Sequence, residues 1–99
     1  MNEDQLNEMI NNTEYPRVFK SDIEKKIKKV DYIILPNTTV TICNITLENG
    51  FSVRGESACI DERNFNMKIG QEIAYRNAFN QIWDLEGYLL KEKIFQGEA

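Results

Sequence analysis

The stretch TTVTICNITLENGFSVRGESA, residues 38–58, decides how this chain folds. Two runs rich in Val, Ile and Thr flank a central Asn49-Gly50. β-Branched residues suit a pleated, half-buried surface, and Asn-Gly is the favoured pair for a two-residue hairpin turn. Such a turn predicts Glu48 opposite Phe51, Thr46 opposite Val53, Asn44 opposite Gly55 and Ile42 opposite Ser57. One sheet face then holds Val40, Ile42, Phe51 and Val53. The other holds Ile45 and Leu47 together with Arg54 and Glu56. Both faces are partly apolar. One covers the domain's own core. The second either meets another subunit or a ligand, or lies under an N-terminal helix with Arg54 and Glu56 as a rim pair. The same register puts Cys43 and Cys59 on opposite faces, which argues against a disulfide between them.

Working outward, DYIILP (31–36) reads as a short strand ended by Pro36. SDIEKKIKKV (21–30) reads as a helix, with Ser21 or Asp22 as its cap and Ile23, Ile27 and Val30 at helical spacing. Lys25, Lys26, Lys28 and Lys29 then gather near its C-terminal end, where the helix dipole favours cations. Residues 3–12 form a weaker helix, with Leu6, Met9 and Ile10 on one stripe, inside a flexible segment spanning residues 1–20. On the other side, DERNFNMKIGQEIAYRNAFNQIW (61–83) reads as the main helix, capped by Asp61 or Asn66. DLEGYLLKEKIF (84–95) reads as a second, shorter helix after a turn near Asp84. Gly70 and Gly87, costly inside helices, hint at close backbone contacts. The predicted class is α+β. A three-stranded antiparallel sheet is packed by a long C-terminal helix and a short terminal helix, after one or two short N-terminal helices.

A chain of 99 residues makes one small domain, residues 1–99, with a thin core that oligomerisation would complete. Its net charge of -4 argues against coating duplex nucleic acid, while a few local arginines still suffice for a small anion. No apolar run is long enough to span a membrane. The opening MNEDQLNEMI is acidic and lacks the pattern of a secretory signal. With two cysteines and no CxxC, the expected location is a reducing cytoplasm. The absence of histidine argues against a zinc site, and no cofactor motif is present. No nucleophile-base pattern, GxSxG or P-loop points to an enzyme.

On a helical wheel, Phe65, Ile69, Ile73 and Trp83 share one sector, with Phe79 at its border and Tyr75 further round. Arg76 and Asn80 fall inside that apolar sector and Asn77 at its edge. Buried polar groups need partners. Arg76 either pairs with Glu56 or Glu72 and the asparagines bond to backbone, or all three face a pocket. Aromatic faces, arginine and amides together can hold a base and its phosphates. By residue type and placement, Arg54, Arg76 and Lys91 are the candidate phosphate partners. Tyr75, Phe79 or Trp83 would stack on a base, and Asn77 and Asn80 would read base or ribose edges.

Several spaced motifs stand in the second half of the chain: NGF (49–51), GESA (55–58), NF (64–65), IG..IA..NA (69–78) and W.LEGYLL (83–90). In this string the chain resembles the gene-product-forty-nine-like family of short bacteriophage and prophage proteins. Asp84 departs from the pattern, since many relatives carry proline there. A branch similar to this family includes Thoeris anti-defence protein one, a sponge for the cyclic ADP-ribose-type signal made by bacterial TIR-domain enzymes. Related sponges take up cyclic oligonucleotides. The resemblance implies a non-catalytic binder of a small nucleotide signal (glycocyclic ADP-ribose or a similar molecule) that acts in the host cytoplasm as a homo-oligomer built from dimers. The alternative is a small acidic phage protein that inhibits a host enzyme by docking on it through aromatic anchors.

Overall fold

The structure, a computed structural model, describes residues 1–98. Its elements are α1 (Glu3–Asn11), α2 (Lys20–Lys26), β1 (Ile27–Ile34), β2 (Val40–Leu47), β3 (Ser52–Ala58), a 3₁₀ turn at Glu62–Asn64 and α3 (Met67–Phe95). The three strands form an antiparallel sheet in the order β1-β2-β3. α3 packs along one face of it, over β2 and β3. This is the expected α+β class, with two layers around one core.

The hairpin forms where expected, but its register is shifted by one residue. Leu47 N–H donates to Phe51 O at 2.8 Å and Gly50 N–H donates to Leu47 O at 2.9 Å. The loop is therefore Glu48, Asn49 and Gly50. A two-residue turn would need Asn49 and Gly50 both at positive φ. Only Gly50 is there, at φ 91°. Asn49 uses its side chain instead, and its Oδ1 accepts the Phe51 N–H at 2.9 Å. A type I turn closed by a left-handed glycine is the standard three-residue solution. The partners become Cys43↔Gly55, Asn44↔Arg54 and Ile45↔Val53. One residue of slip turns β3 over relative to β2. Ile45, Leu47 and Val53 now share the core face, while Ile42 shares the outer face with Arg54 and Glu56. The cover over Ile45 and Leu47 is α3, not an N-terminal helix.

At the other boundary, strand pairing overrides helical spacing. Residues 21–30 do not form one helix. α2 stops at Lys26, and Ile27 and Val30 pair with Leu47 and Ile45. Lys28 is the extra residue of a bulge between Ile27 and Lys29. Only Lys25 and Lys26 remain in the last turn of α2; Lys28 and Lys29 lie on β1. Neither expected cap of α2 works as an Ncap side chain. Phe19 occupies that position, and its N–H donates to Asp22 Oδ2 at 3.1 Å. The β1–β2 connection turns at Pro36 and Asn37, the latter at φ 61°, as a type II turn prefers. α1 forms but buries no residue.

α3 is one helix of 29 residues, with no break at Asp84. Nothing there removes a backbone donor or clashes with the preceding turn, as proline would. Asn66 rather than Asp61 caps it: its Oδ1 accepts from Lys68 N–H at 2.9 Å and Ile69 N–H at 3.2 Å. Asp61 caps the 3₁₀ turn. The buried side of α3 carries Ala74, Ala78, Phe79, Ile82 and Glu86. Ile69, expected in the core, is 59% exposed, and Ile73 is exposed as well. The reason is how close α3 runs to the sheet. A Cβ on Gly55 would collide with backbone atoms of Ala74 and Ala78, so only small residues fit on that line. Gly70 is also a close approach, since a Cβ there would lie 2.9 Å from Thr41 Oγ1. Gly87 has open space around its Cβ position, so no close contact explains it.

The core is small: Ile23, Cys43, Ile45, Val53, Ala74, Ala78, Phe79 and Ile82 are buried together, with Leu47 beside them. Ile23 ties α2 into it. Lys26 Nζ reinforces the joint with a 2.7 Å ion pair to the nearly buried Glu86. A strand glycine and a helix glycine give opposite expectations. Gly55→Ala forces β3 and α3 apart and lowers unfolding free energy in urea by about 2–4 kcal/mol. Gly87→Ala fills open space in a helix interior and raises it by about 0.5–1 kcal/mol.

Candidate functional site

The sequence candidates separate onto different surfaces. Tyr75, Arg76, Phe79 and Asn80 lie together along the flank of α3 that faces α2, in an open groove of about 540 Å³. Trp83 continues the row, and Lys20, Glu24 and Glu3 form the opposite wall. Tyr75, Phe79 and Trp83 follow one another at every fourth position, so one helix face presents them as a ladder. Phe79 meets Tyr75 edge-on with centroids 5.8 Å apart and Trp83 edge-on at 6.3 Å. Phe79 is buried at the centre of the ladder. Its neighbours are half-buried and offer rings to the groove.

Polar groups in this groove are exposed to solvent. Arg76 is exposed, not buried in an apolar sector, and its Nε donates to Glu72 Oε1 at 3.0 Å. That is an exposed i,i+4 pair, whose net contribution is small and screened by salt. Asn80 is exposed. Three carboxylates, Glu3, Glu24 and Glu72, face two cations, Lys20 and Arg76. Burial, and then the negative charge of Glu24, Cys43 and Glu72, raises the Tyr75 hydroxyl above its ordinary pKa. At neutral pH Tyr75, like any tyrosine, carries its hydroxyl proton and can donate a hydrogen bond.

Arg54 and Asn77 are elsewhere, at the β3 edge. Arg54 extends on the outer sheet face, where its Nη1 donates to Asn44 Oδ1 at 3.1 Å and Ser52 Oγ at 3.0 Å. Asn77 Nδ2 donates to Glu56 O at 2.9 Å, and Gln81 Nε2 donates to Arg54 O. The spacing explains the pairing. Four residues of helix rise about 6 Å, and two residues of strand span about 6.6 Å. Two amides on adjacent turns of α3 therefore meet two alternate carbonyls of β3. Gln81 was not among the sequence candidates. Its signal was the i,i+4 relation to Asn77, which becomes meaningful only when a strand edge lies alongside. Lys91 sits on the exposed terminal turns of α3, apart from both clusters.

Among the described residues, no group of His, Cys, Asp or Glu is arranged to hold a metal ion, and no helix is long and apolar enough to cross a membrane. Both cysteines are free thiols. Cys43 is fully buried, and burial pushes its pKa up, with a contact to the Tyr32 hydroxyl partly opposing the rise. Cys59 is half-exposed, its Sγ 3.0 Å from Asp61 O.

The family model of the phage protein (N4 Gp49/phage Sf6 gene 66) family matches residues 2–94, and the chain belongs to that family. The match takes in α1, α2, the whole sheet and nearly all of α3. Comparison with curated proteins and with solved structures returns no match.

Two measurements check this placement. A thiol reagent at pH 8 labels Cys59 in the native protein and reaches Cys43 only on unfolding, because the thiolate is the reactive form and burial disfavours it. Asn77→Ala and Gln81→Ala each lower urea stability by about 0.5–1 kcal/mol and speed amide exchange in β3.

Proposed function

We propose that this phage protein is a non-catalytic binder that sequesters a cyclic nucleotide immune signal of the host, of the glycocyclic ADP-ribose type or a cyclic oligonucleotide. The observation that carries the reading is the aromatic ladder Tyr75–Phe79–Trp83 standing in an open groove beside Lys20, Arg76 and Asn80. Flat aromatic walls suit an adenine base, and stacking contributes about 1–3 kcal/mol per base. Arg76 would exchange Glu72 for a phosphate, which its planar guanidinium matches in two-point geometry. Asn80 would bond the base or ribose edge. Arg54, Asn77 and Lys91 lie outside this groove and would contribute there only from another copy. The carboxylates of the groove oppose a phosphate, so binding rests more on stacking than on charge. Its salt dependence is correspondingly shallow.

The test is calorimetric titration of the full chain with cyclic ADP-ribose-type and cyclic oligonucleotide signals. The expected result is saturable heat, with the nucleotide recovered intact after heating. Trp83→Ala and Arg76→Ala each weaken binding about tenfold, or ~1.4 kcal/mol. No heat with any of these nucleotides, together with no protection of the signal from its effector, sinks the proposal.

A second reading has one observation of its own. Beyond Glu86 the last turns of α3 expose Tyr88, Leu89, Ile94 and Phe95. Exposed aromatics of this kind are the anchors a protein interface uses. On that reading the chain inhibits a host enzyme by docking through these turns. Retention of one stoichiometric host protein, lost with Tyr88→Ala and Phe95→Ala, would favour it.

A further inference from the structure

α3 is longer than the core beneath it. Ala78, Ile82 and Glu86 are buried at every fourth position, and Glu86 is the last buried residue of the helix. The helix continues from there to Phe95, a further 13 Å or so at about 1.5 Å per residue. Its inward face does not stop with the core. Leu89, Leu90, Lys93 and Ile94 follow Glu86 at the spacing of a single helix face. Leu89 and Ile94 are exposed and Leu90 is half-buried.

Leu89, Leu90 and Lys93 line a cleft of about 350 Å³. Val18 adds apolar surface from the segment ahead of α2, and Arg17, Lys25 and Lys26 bring cations from the same side. The carboxylates here are Asp22, Glu48 and Glu86. Two of them are engaged. Glu86 accepts from Lys26 Nζ at 2.7 Å, and Asp22 Oδ2 accepts the Phe19 N–H at 3.1 Å. Lys25 and Lys93 make no ion pair among the described residues. The Arg17 guanidinium rests over the Phe19 ring, 4.0 Å from its centroid. Four cations therefore face three carboxylates, in a chain whose net charge is -4. The aromatic groove has the opposite balance, three carboxylates against two cations. The two surfaces thus differ in the charge they attract.

We propose that this cleft, with the stripe of α3 beyond it, docks an acidic amphipathic helix of a partner protein. The inference rests on the second reading above, docking of a host protein on the last turns of α3, and deepens it by naming the chemistry that is recognised. A narrow apolar stripe on the partner would lie on Val18, Leu89, Leu90 and Ile94, as a helix does in a hydrophobic groove. Carboxylates flanking that stripe would meet Arg17 and Lys25 from one element and Lys93 from another. Such charge complementarity selects the partner more than it adds affinity. An anionic lipid surface is flat and would leave the concave floor unfilled.

Fluorescence anisotropy of the full chain with two labelled peptides provides the test. Both peptides are about 18 residues long, enough for a helix in water, with leucine at the same helical spacing. One carries glutamate at its polar positions and the other lysine. The glutamate peptide is expected to bind saturably, about tenfold more tightly than the lysine peptide, and more weakly as salt rises. Lys25→Glu and Lys93→Glu stand on different helices and are both exposed. Each is expected to weaken that binding about fivefold, the size of one exposed charge pair, with native circular dichroism and melting. The double variant prefers the lysine peptide. Lys26 is left intact because it holds Glu86. Equal binding of the two peptides, no saturable binding of the glutamate peptide, or single variants that bind it as the wild type does overturn the proposal. So does binding to phosphatidylserine vesicles that the glutamate peptide fails to displace, or self-association that the two variants abolish, which assigns the cleft to a second copy. A host protein retained equally by the wild type and the double variant overturns this inference and leaves the docking reading standing. Charge-dependent peptide binding with no host protein retained does the reverse.

Discussion

One close approach between two backbones governs how the layers pack. Gly55 of β3 lies against Ala74 and Ala78 of α3 with no room for a Cβ. That approach sets the height of α3 above the sheet, and much of the structure follows from it. Helix positions opposite Gly55 must be small, so Ala74 and Ala78 stand there, and the larger Ile82 is buried one turn further on. The larger apolar residues are displaced to the flanks. On the β3 flank, Asn77 and Gln81 come within reach of strand carbonyls. On the other flank, Tyr75, Phe79 and Trp83 lean toward α2 and line the groove. One missing side chain thus separates a structural seam from a candidate binding surface.

The same constraint leaves the molecule thin. A single helix covers two strands, and the third strand carries apolar residues that no element covers. A small domain has little core to spare. Here the joint between α2 and α3 is held by Ile23 and by the Lys26–Glu86 pair. A nearly buried carboxylate is tolerable only with such a partner, and the pair fastens α2, which carries Lys20 and Glu24 of the groove's opposite wall, to α3. Order on the sheet and access in the groove therefore depend on neighbouring but separate contacts.

For function, family membership and geometry speak to different questions. The phage family places the chain among viral proteins. The groove supplies aromatic faces and exchangeable polar groups. Its charge balance is slightly acidic, with Glu3, Glu24 and Glu72 against Lys20 and Arg76.

Much of this was readable in the chain. The β-branched runs around Asn49-Gly50 determined a hairpin, Pro36 ended a strand, and Asn66 marked a helix start, because each acts through local backbone preference. The family string from NGF to W.LEGYLL was legible as residue identities at fixed spacing. The hairpin register was not, since Asn-Gly fits both a two-residue turn with Asn49 at positive φ and the three-residue turn formed here. Nor was the exit from helix at Lys26, where pairing of Ile27 and Val30 with β2 outweighs helical spacing. The site divided along the same line. Residue types alone grouped Arg54, Asn77 and Lys91 with Tyr75, Arg76, Phe79 and Asn80, and a helical wheel placed Arg76 among apolar neighbours. Only the tertiary structure put them on different flanks. Local sequence determines which elements form, but which face of α3 meets the sheet depends on a long-range fit at Gly55, and that fit is invisible until the strand and the helix are brought together.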